Sequence, residues 1–195
     1  MPPKPKFTKE EVVKAALEIV REKGIERLTA RDFGTALGSS ARPIFTLYNG
    51  MEELITDVRR SAMSVFEEYV KPKGESMPIF KQIGMGMVSF ALEQPRLYDF
   101  LFMKGINKKE NFDMLLGELG ITAERSIAAI CADYKLDHDD AKILFENVWI
   151  YTFGIGALCS SGTCSFSRDE LSVLLSTEFR AMLEYVKNKK EDDRQ

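Results

Sequence analysis

The stretch "LTARDFGTALGSSARPIFTLYNGMEEL", residues 28–54, carries apolar residues at helical spacing and is broken twice. The first break is the Gly-Ser-Ser corner at residues 38–40, and the second is the Asn-Gly pair at residues 49–50. Glycine ends helices, and short polar residues cap the helices that follow them. The pattern therefore predicts two short helices joined by a tight turn. With the helix that precedes them, they form a predicted helix-turn-helix unit of three helices.

Helix-start signals recur along the rest of the chain, whereas strand signals are nearly absent. Thr8 and Glu11 form a capping box that opens the apolar-periodic run "VVKAALEIVREK", which Gly24 ends. Ser167 and Glu170 form a second capping box before the last helix. These signals predict an all-α fold. The further predicted helices cover residues 30–37, 41–48, 51–70, 78–93, 95–104, 109–117, 121–134, 139–160 and 168–188.

Length and composition are those of an ordinary soluble globular protein. The 195 residues are 45% hydrophobic and 29% charged, which is enough to build a sizeable core. The net charge is −3, and it is uneven: residues 1–60 hold eleven Lys or Arg and nine Asp or Glu, a net of +2, which leaves −5 for the remainder. A mildly basic start is compatible with a polyanion-facing N-terminus, but this bias does not argue for nucleic acid by itself.

Two features bear on localisation. The basic, proline-rich start "MPPKPKF" is not followed by the apolar core of a signal peptide, which predicts a cytoplasmic protein. Residues 147–167 carry no charge, but their second half is polar, and the apolar part makes only about three helical turns. A membrane span needs about 20 apolar residues, so a buried helix followed by a loop is expected here and no membrane partner.

Residue types that carry enzymatic or metal chemistry are scarce. The one histidine, His138, lies among aspartates just before an apolar-periodic run, which is typical of a helix start. No phosphate-binding glycine loop, nucleophile elbow or zinc-protease pattern is present. We therefore expect no enzymatic activity, no metal and no cofactor. The three cysteines are expected to be reduced and to serve mainly as small apolar residues: Cys131, Cys159 and Cys164.

A helix that enters the DNA major groove needs a slim exposed face, and the second helix of the turn has one. Arg42 can donate in bidentate fashion to guanine, and the hydroxyl of Ser40 with the free amides of this helix start can bind phosphate. Thr29 begins the preceding helix and can also bind phosphate. The candidate DNA-binding residues are Lys6, Thr29, Arg31, Ser39, Ser40, Ala41, Arg42, Pro43 and Thr46.

The register "LTARDFGTALGSSARPIFTLYNGMEELI", preceded by an amphipathic helix ending in "REKG", resembles the N-terminal domain of TetR-family transcriptional regulators. The resemblance covers roughly residues 7–58. It implies a homodimeric repressor that binds a palindromic double-stranded DNA operator and is released by a small-molecule effector. The implied organisation is a helix-turn-helix domain at residues 1–50, a connecting helix and linker at 51–74, an effector-binding and dimerisation domain at 75–189, and a charged tail at 190–195.

The sequence departs from the family pattern at two positions that usually contact phosphate. Phe45 stands where a tyrosine is usual, and Met51 stands where a lysine is usual. Each lost phosphate contact is expected to weaken binding and to flatten its salt dependence. These departures support an alternative function, a helical ligand-binding or protein-interaction module with weakened or lost operator binding.

The C-terminal body is rich in Met and aromatic residues at helical spacing. Such residues usually form core, but ligand pockets are also mostly apolar, and methionine adapts to varied ligands. We expect an apolar or amphipathic effector between these helices, and a dimer formed by the last two helices, where one helix face covers its own core and another a partner. The candidate effector-binding residues are Met85, Met87, Phe90, Phe102, Met103, Trp149 and Phe153.

Overall fold

The structure is a computed structural model that describes residues 7–36, 38, 46–74, 77–104, 117 and 119–192. These residues contain eight α-helices and no strand, which confirms the predicted all-α fold. A short 3-10 turn, Ile25–Arg27, follows the first helix, and α5 continues directly into a π-helical turn, Asp99–Met103. The helices are α1 Lys9–Lys23, α2 Ala30–Ala36, α3 Met51–Val70, α4 Ile79–Glu93, α5 Pro95–Tyr98, α6 Ile121–Tyr134, α7 His138–Ser160 and α8 Arg168–Asp192.

The helix starts follow the capping signals in the sequence. At α1 the Thr8 hydroxyl accepts the Glu11 amide at 3.2 Å, and the Glu11 carboxylate accepts the Thr8 amide at 2.8 Å, which completes the predicted capping box. Ser167 and Glu170 make the same reciprocal pair before α8. α7 begins at His138, behind an Asp137 carboxylate that caps it, so the reading of this acidic stretch as a helix start is confirmed.

Two predicted helices differ from the structure by more than one residue. α8 runs to Asp192, four residues beyond the predicted end at residue 188, because the Lys- and Glu-rich sequence there favours helix. The predicted helix at residues 95–104 is a single α-turn followed by the π-helical turn. Residues 109–116 of the predicted helix at 109–117, and residues 41–45 of the one at 41–48, lie outside the described residues.

The chain forms two compact units, and the first comprises residues 1–66 and 94–106. Within it, α1 packs against α2 and α5. The apolar faces of these helices and of the first part of α3 supply its core. The side chains that are at most 1% exposed there are Val12, Ala16, Val20, Phe33, Leu54, Val58, Ala62, Phe66, Leu97, Tyr98, Phe100 and Leu101.

The second unit comprises residues 67–93 and 107–195, and α7 is its central helix. α7 packs against α4, α6 and α8, and α4 also packs against α6 and α8. α7 has the length and apolar composition of a membrane-spanning helix, but 44% of its most apolar segment is buried inside the protein. The core helix of a globular protein can have the same length and composition. The packing of α7 against three other helices fits the expected buried helix.

The division between the units falls within α3, after Phe66. Residues 94–104 pack with the N-terminal unit, although they follow α4 in sequence. Arg59 on α3 contributes to this: its guanidinium donates to the carbonyls of Phe100 and Leu101 at 3.0 and 2.8 Å. Both carbonyls lie in the π-helical turn Asp99–Met103, and carbonyls at a helix end generally accept hydrogen bonds from outside the helix.

We expect Arg59→Met to lower the free energy of unfolding by about 2 kcal/mol, because two partly buried carbonyls lose a charged donor. Thermal or urea unfolding of the purified protein measures this loss. The neighbouring Arg60→Met is the matched control. Its side chain is 75% exposed and pairs with Asp57 at the surface, so its expected cost is only about 0–1 kcal/mol. Equal effects of the two substitutions would contradict the assigned role of Arg59.

Candidate functional site

The N-terminal unit presents the start of α2 to solvent. The Thr29 hydroxyl accepts the Asp32 amide at 3.1 Å and donates to the Asp32 carboxylate at 3.0 Å, so Thr29 caps α2 as predicted. Thr29 and Arg31 are both exposed, as is Thr46, which has helical backbone. The structure thus places three of the nine candidate DNA-binding residues on the surface. The other six lie outside the described residues: Lys6, Ser39, Ser40, Ala41, Arg42 and Pro43.

A cluster of polar side chains anchors the end of the predicted recognition helix and the residue that follows it. Tyr48 is buried, and its hydroxyl donates to the Asp57 carboxylate at 3.2 Å. Burial and the nearby Asp57 charge raise the pKa of Tyr48 to about 12, so the hydroxyl stays protonated and remains a donor. The backbone amide and side-chain amide of Asn49 both donate to Glu53, at 2.8 and 3.0 Å. The start of α3 therefore holds residues 48–49 in place.

Glu53 has two partners in this cluster. It accepts the hydrogen bonds of Asn49 at the start of α3. Lys9 also pairs with Glu53 at 3.3 Å and lies over the Tyr48 ring, 4.5 Å from its centroid. Hydrogen bonds from the Asn49 amide, and then from Lys9, hold the pKa of Glu53 below its usual value, which keeps this anchor charged near neutral pH.

The second unit contains a cavity of about 390 Å³ that we call the α4–α8 cavity. Its size lies at the lower end of the range of about 300–1,000 Å³ that is typical of small-molecule sites. It is partly open to solvent, and helices α4, α6, α7 and α8 supply its walls. The lining residues are Pro78, Phe80, Lys81, Gly84, Tyr134, Val148, Thr152, Leu175, Ser176, Phe179 and Arg180.

Aromatic rings build one wall of the α4–α8 cavity. The Phe179 ring lies 4.9 Å from the Tyr134 ring and 5.4 Å from the Phe80 ring, measured between centroids. Such tilted contacts hold flat apolar surfaces in fixed positions. Thr152 is buried and donates its hydroxyl proton to the Val148 carbonyl at 2.7 Å, so it presents mainly its methyl group and an acceptor oxygen. The wall is therefore rigid and largely apolar.

None of the seven candidate effector-binding residues lines the α4–α8 cavity. Met87, Phe90 and Trp149 are buried in the core of the second unit, at 0%, 0% and 3% exposure. Phe102 and Met103 belong to the first unit. The remaining two differ from these: Met85 lines a second cavity of about 540 Å³, and Phe153 is half-buried on α7.

The α4–α8 cavity lies where side chains are small. Gly84 on α4, Thr152 on α7 and Ser176 on α8 leave the space, whereas the neighbouring Met85 lines the second cavity and Trp149 is buried in the core. The sequence signal for this cavity is a small residue on each of three helices. On two of these helices, a cationic residue lies one turn away from the small residue. Lys81 is three residues before Gly84, and Arg180 is four residues after Ser176.

Exposed apolar side chains lie on the outer faces of the last two helices. Ile150 and Leu158 on α7 are 54% and 42% exposed, and Val173 and Tyr185 on α8 are 63% and 57% exposed. In contrast, Leu171, Leu175 and Val186 of α8 are buried in the unit's own core. The helices thus carry one apolar face for their own core and another that is open to solvent.

Comparison with known proteins identifies the fold. No protein-family model matches the sequence, and no curated protein does. A solved TetR structure from Acinetobacter baumannii AYE is similar in fold, with a TM-score of 0.55 and 17% sequence identity, over 97% of this chain and 100% of that one. The resemblance seen in the sequence is thereby confirmed at the level of architecture. The chain has a TetR-like all-α fold.

Proposed function

We propose that the protein is a sequence-specific DNA-binding transcriptional regulator. The TetR-like fold over nearly the whole chain carries this proposal, because that architecture is typical of regulators rather than enzymes. The sequence register of residues 28–54 supports it independently, since it predicts the helix-turn-helix unit at the place where the fold requires one. A regulator of this kind acts in the cytoplasm.

The described part of the N-terminal unit supports a fixed presentation of the predicted recognition helix. Tyr48 and Asn49, at the end of that helix, are bound to Asp57 and Glu53 of α3. Thr29, at the start of α2, is exposed, and its hydroxyl can donate to a phosphate oxygen by turning its proton away from the Asp32 carboxylate. In this proposal Arg42 reads guanine, and the polar residues around it position the backbone.

The second unit supplies the regulatory part of the proposal. A small amphipathic effector binds in the second unit and favours a conformation in which the two recognition helices no longer match successive major grooves. By linkage, an effector that binds this conformation more tightly must weaken operator affinity by the same factor. α3 contributes residues to both units and is therefore the proposed path of the change.

A homodimer through α7 and α8 completes the proposal. The exposed apolar residues on these two helices form the kind of surface that a soluble protein covers with a partner. A pair of helices from each chain gives a four-helix interface, and two-fold symmetry requires a palindromic operator. The half-sites are then expected about one DNA turn, roughly 34 Å, apart.

Operator binding is tested by fluorescence anisotropy with the DNA upstream of the protein's own gene, at several salt concentrations. We expect saturable binding that weakens with salt, and a loss of about tenfold or more in Arg42→Ala, because a bidentate arginine–guanine contact contributes about 1–3 kcal/mol. Arg125→Ala is the matched control, since Arg125 is exposed on α6 in the second unit. Its affinity should equal that of the wild type.

The outcome also decides between the two candidate functions. Phe45 and Met51, which lack the usual phosphate-binding groups, favour the alternative of a ligand-binding or interaction module that no longer grips DNA. Binding no tighter than to random DNA at low salt would support that alternative and reject the regulator.

A further inference from the structure

The α4–α8 cavity combines an aromatic wall with cationic side chains. Lys81 comes from α4 and Arg180 from α8, so two separate helices bring positive charge to one space. Neither residue has a carboxylate partner among the described residues. The cavity lining in that part of the chain contains no Asp or Glu at all. A site with two cations and no internal counter-charge favours a negatively charged ligand.

Both cations keep unused donors. Lys81 donates to the Ser172 hydroxyl at 2.7 Å, which uses one of its three N–H groups. Arg180 donates from Nε to the Ser176 carbonyl at 3.1 Å, which orients the guanidinium and leaves its terminal nitrogens available. A guanidinium held in this way presents a planar fork that matches a carboxylate.

The rest of the lining selects the body of the ligand. Phe80, Tyr134 and Phe179 offer ring faces and edges, and Val148 and Leu175 add aliphatic surface. These groups have no charge and few open polar atoms, so they favour an apolar body over a sugar or a nucleotide. A cavity of about 390 Å³ suits one ring with a short chain, not a long lipid or a large cofactor.

The second cavity of this unit is larger, about 540 Å³, but it fits a ligand less well. Its lining carries both signs of charge, and several of these groups already pair with one another. Lys71 lies 3.4 Å from Glu68, and the Tyr69 hydroxyl donates to Glu93 at 2.9 Å. A ligand there would have to break existing pairs, which favours the α4–α8 cavity.

We infer that the α4–α8 cavity binds a small monocarboxylate with an aromatic body. Arg180 and Lys81 hold the carboxylate at the rim, and the body lies against the Phe80, Tyr134 and Phe179 rings. This inference names the chemical class of the effector, so the regulatory role of the ligand rests on the proposed function. The binding itself is measurable without DNA.

The test is isothermal titration calorimetry of the full-length protein with 4-phenylbutyrate, its neutral amide 4-phenylbutyramide, and the cation 4-phenylbutylamine. These probes share one body and differ in the charge of the head group. We expect the carboxylate to bind about tenfold or more tightly than the amide, and the amine not to bind, because a charge-assisted bond to a carboxylate is stronger than a neutral one.

Variants assign the binding to this cavity. Arg180→Met and Lys81→Met should each weaken carboxylate binding about tenfold and leave amide binding unchanged. Lys187→Met is the matched control, because Lys187 is an exposed cation on α8 that does not line the cavity. Gly84→Leu should abolish binding of both probes by filling the space. If that variant fails to fold, the two charge variants still decide the question.

Three results would overturn the inference: no binding of 4-phenylbutyrate at millimolar concentration, equal binding of acid and amide, or unchanged binding in both charge variants. Operator binding, measured separately without ligand, keeps this failure distinct from that of the regulator. DNA binding without carboxylate binding would reject only the ligand class. Carboxylate binding without DNA binding would support the ligand class and reject the regulator.

Discussion

Gly86→Ala should lower the free energy of unfolding by about 3 kcal/mol, because α4 crosses the end of α3 at this residue without room for a methyl group. A Cβ built on Gly86 lies 2.3 Å from the Tyr69 carbonyl oxygen and 3.0 Å from the Val70 Cα. Both are backbone atoms, so neither can rotate away. For a chain of this length the expected fall in Tm is roughly 6–12 °C.

Gly84→Ala is the matched control, in the same helix and two residues away. Its Cβ would lie 3.4 Å from the end of the Leu175 side chain, an ordinary contact with a flexible group. Because alanine favours helix over glycine by about 1 kcal/mol, this variant should be as stable as the wild type or slightly more so. Urea unfolding of both variants measures the difference, and a Gly86→Ala variant of wild-type stability would contradict the close approach.

Gly84 and Gly86 show what the sequence can predict about packing and what it cannot. A glycine inside an apolar-periodic helix costs about 1 kcal/mol relative to alanine, so each of the two indicates a need for space at its position. Sequence alone could not say which space belonged to a backbone and which to a cavity. In the structure, Gly86 allows α4 to pack closely on α3, whereas Gly84 lines the α4–α8 cavity. This difference depends on which helix each face of α4 contacts.

Local features were predictable, and tertiary ones were not. The capping boxes at Thr8 and Ser167 and the cap at Thr29 need only residues three positions apart, so the sequence contains the whole interaction. Arg59 donates to the carbonyls of Phe100 and Leu101, which lie 41 and 42 residues further along the chain. No sequence pattern predicts a contact over that separation. The same limit applies to the boundary within α3.

The α4–α8 cavity illustrates a different limit. Large Met and aromatic residues at helical spacing are easy to see in a sequence, and the seven candidate effector-binding residues are of this kind. In the folded unit Met87, Phe90 and Trp149 fill space, whereas the cavity lies beside Gly84, Thr152 and Ser176. A cavity forms where side-chain volume is missing, so small residues are the sequence signal for the α4–α8 cavity.

The double substitution Ile150→Lys with Val173→Lys should convert a dimer into a monomer. Both residues are large, apolar and more than half exposed, at 54% and 63%, on the two helices proposed for dimer contact. Four lysines would then face one another across a two-fold interface without counter-charge, which is strongly unfavourable. Sedimentation equilibrium at micromolar concentration should give twice the 22.1 kDa of one chain for the wild type and a single chain for the variant.

Operator affinity should fall with the dimer, by about 100-fold or more, since the second half-site then no longer benefits from effective concentration. Ile121→Lys is the control, because Ile121 is 50% exposed on α6, outside the proposed interface, and receives the same substitution. It should remain dimeric and bind DNA as the wild type does. A wild-type monomer at micromolar concentration, or a double variant that stays dimeric, would reject α7 and α8 as the interface. A monomeric variant with full operator affinity would instead reject the proposal that a dimer binds two half-sites of the operator.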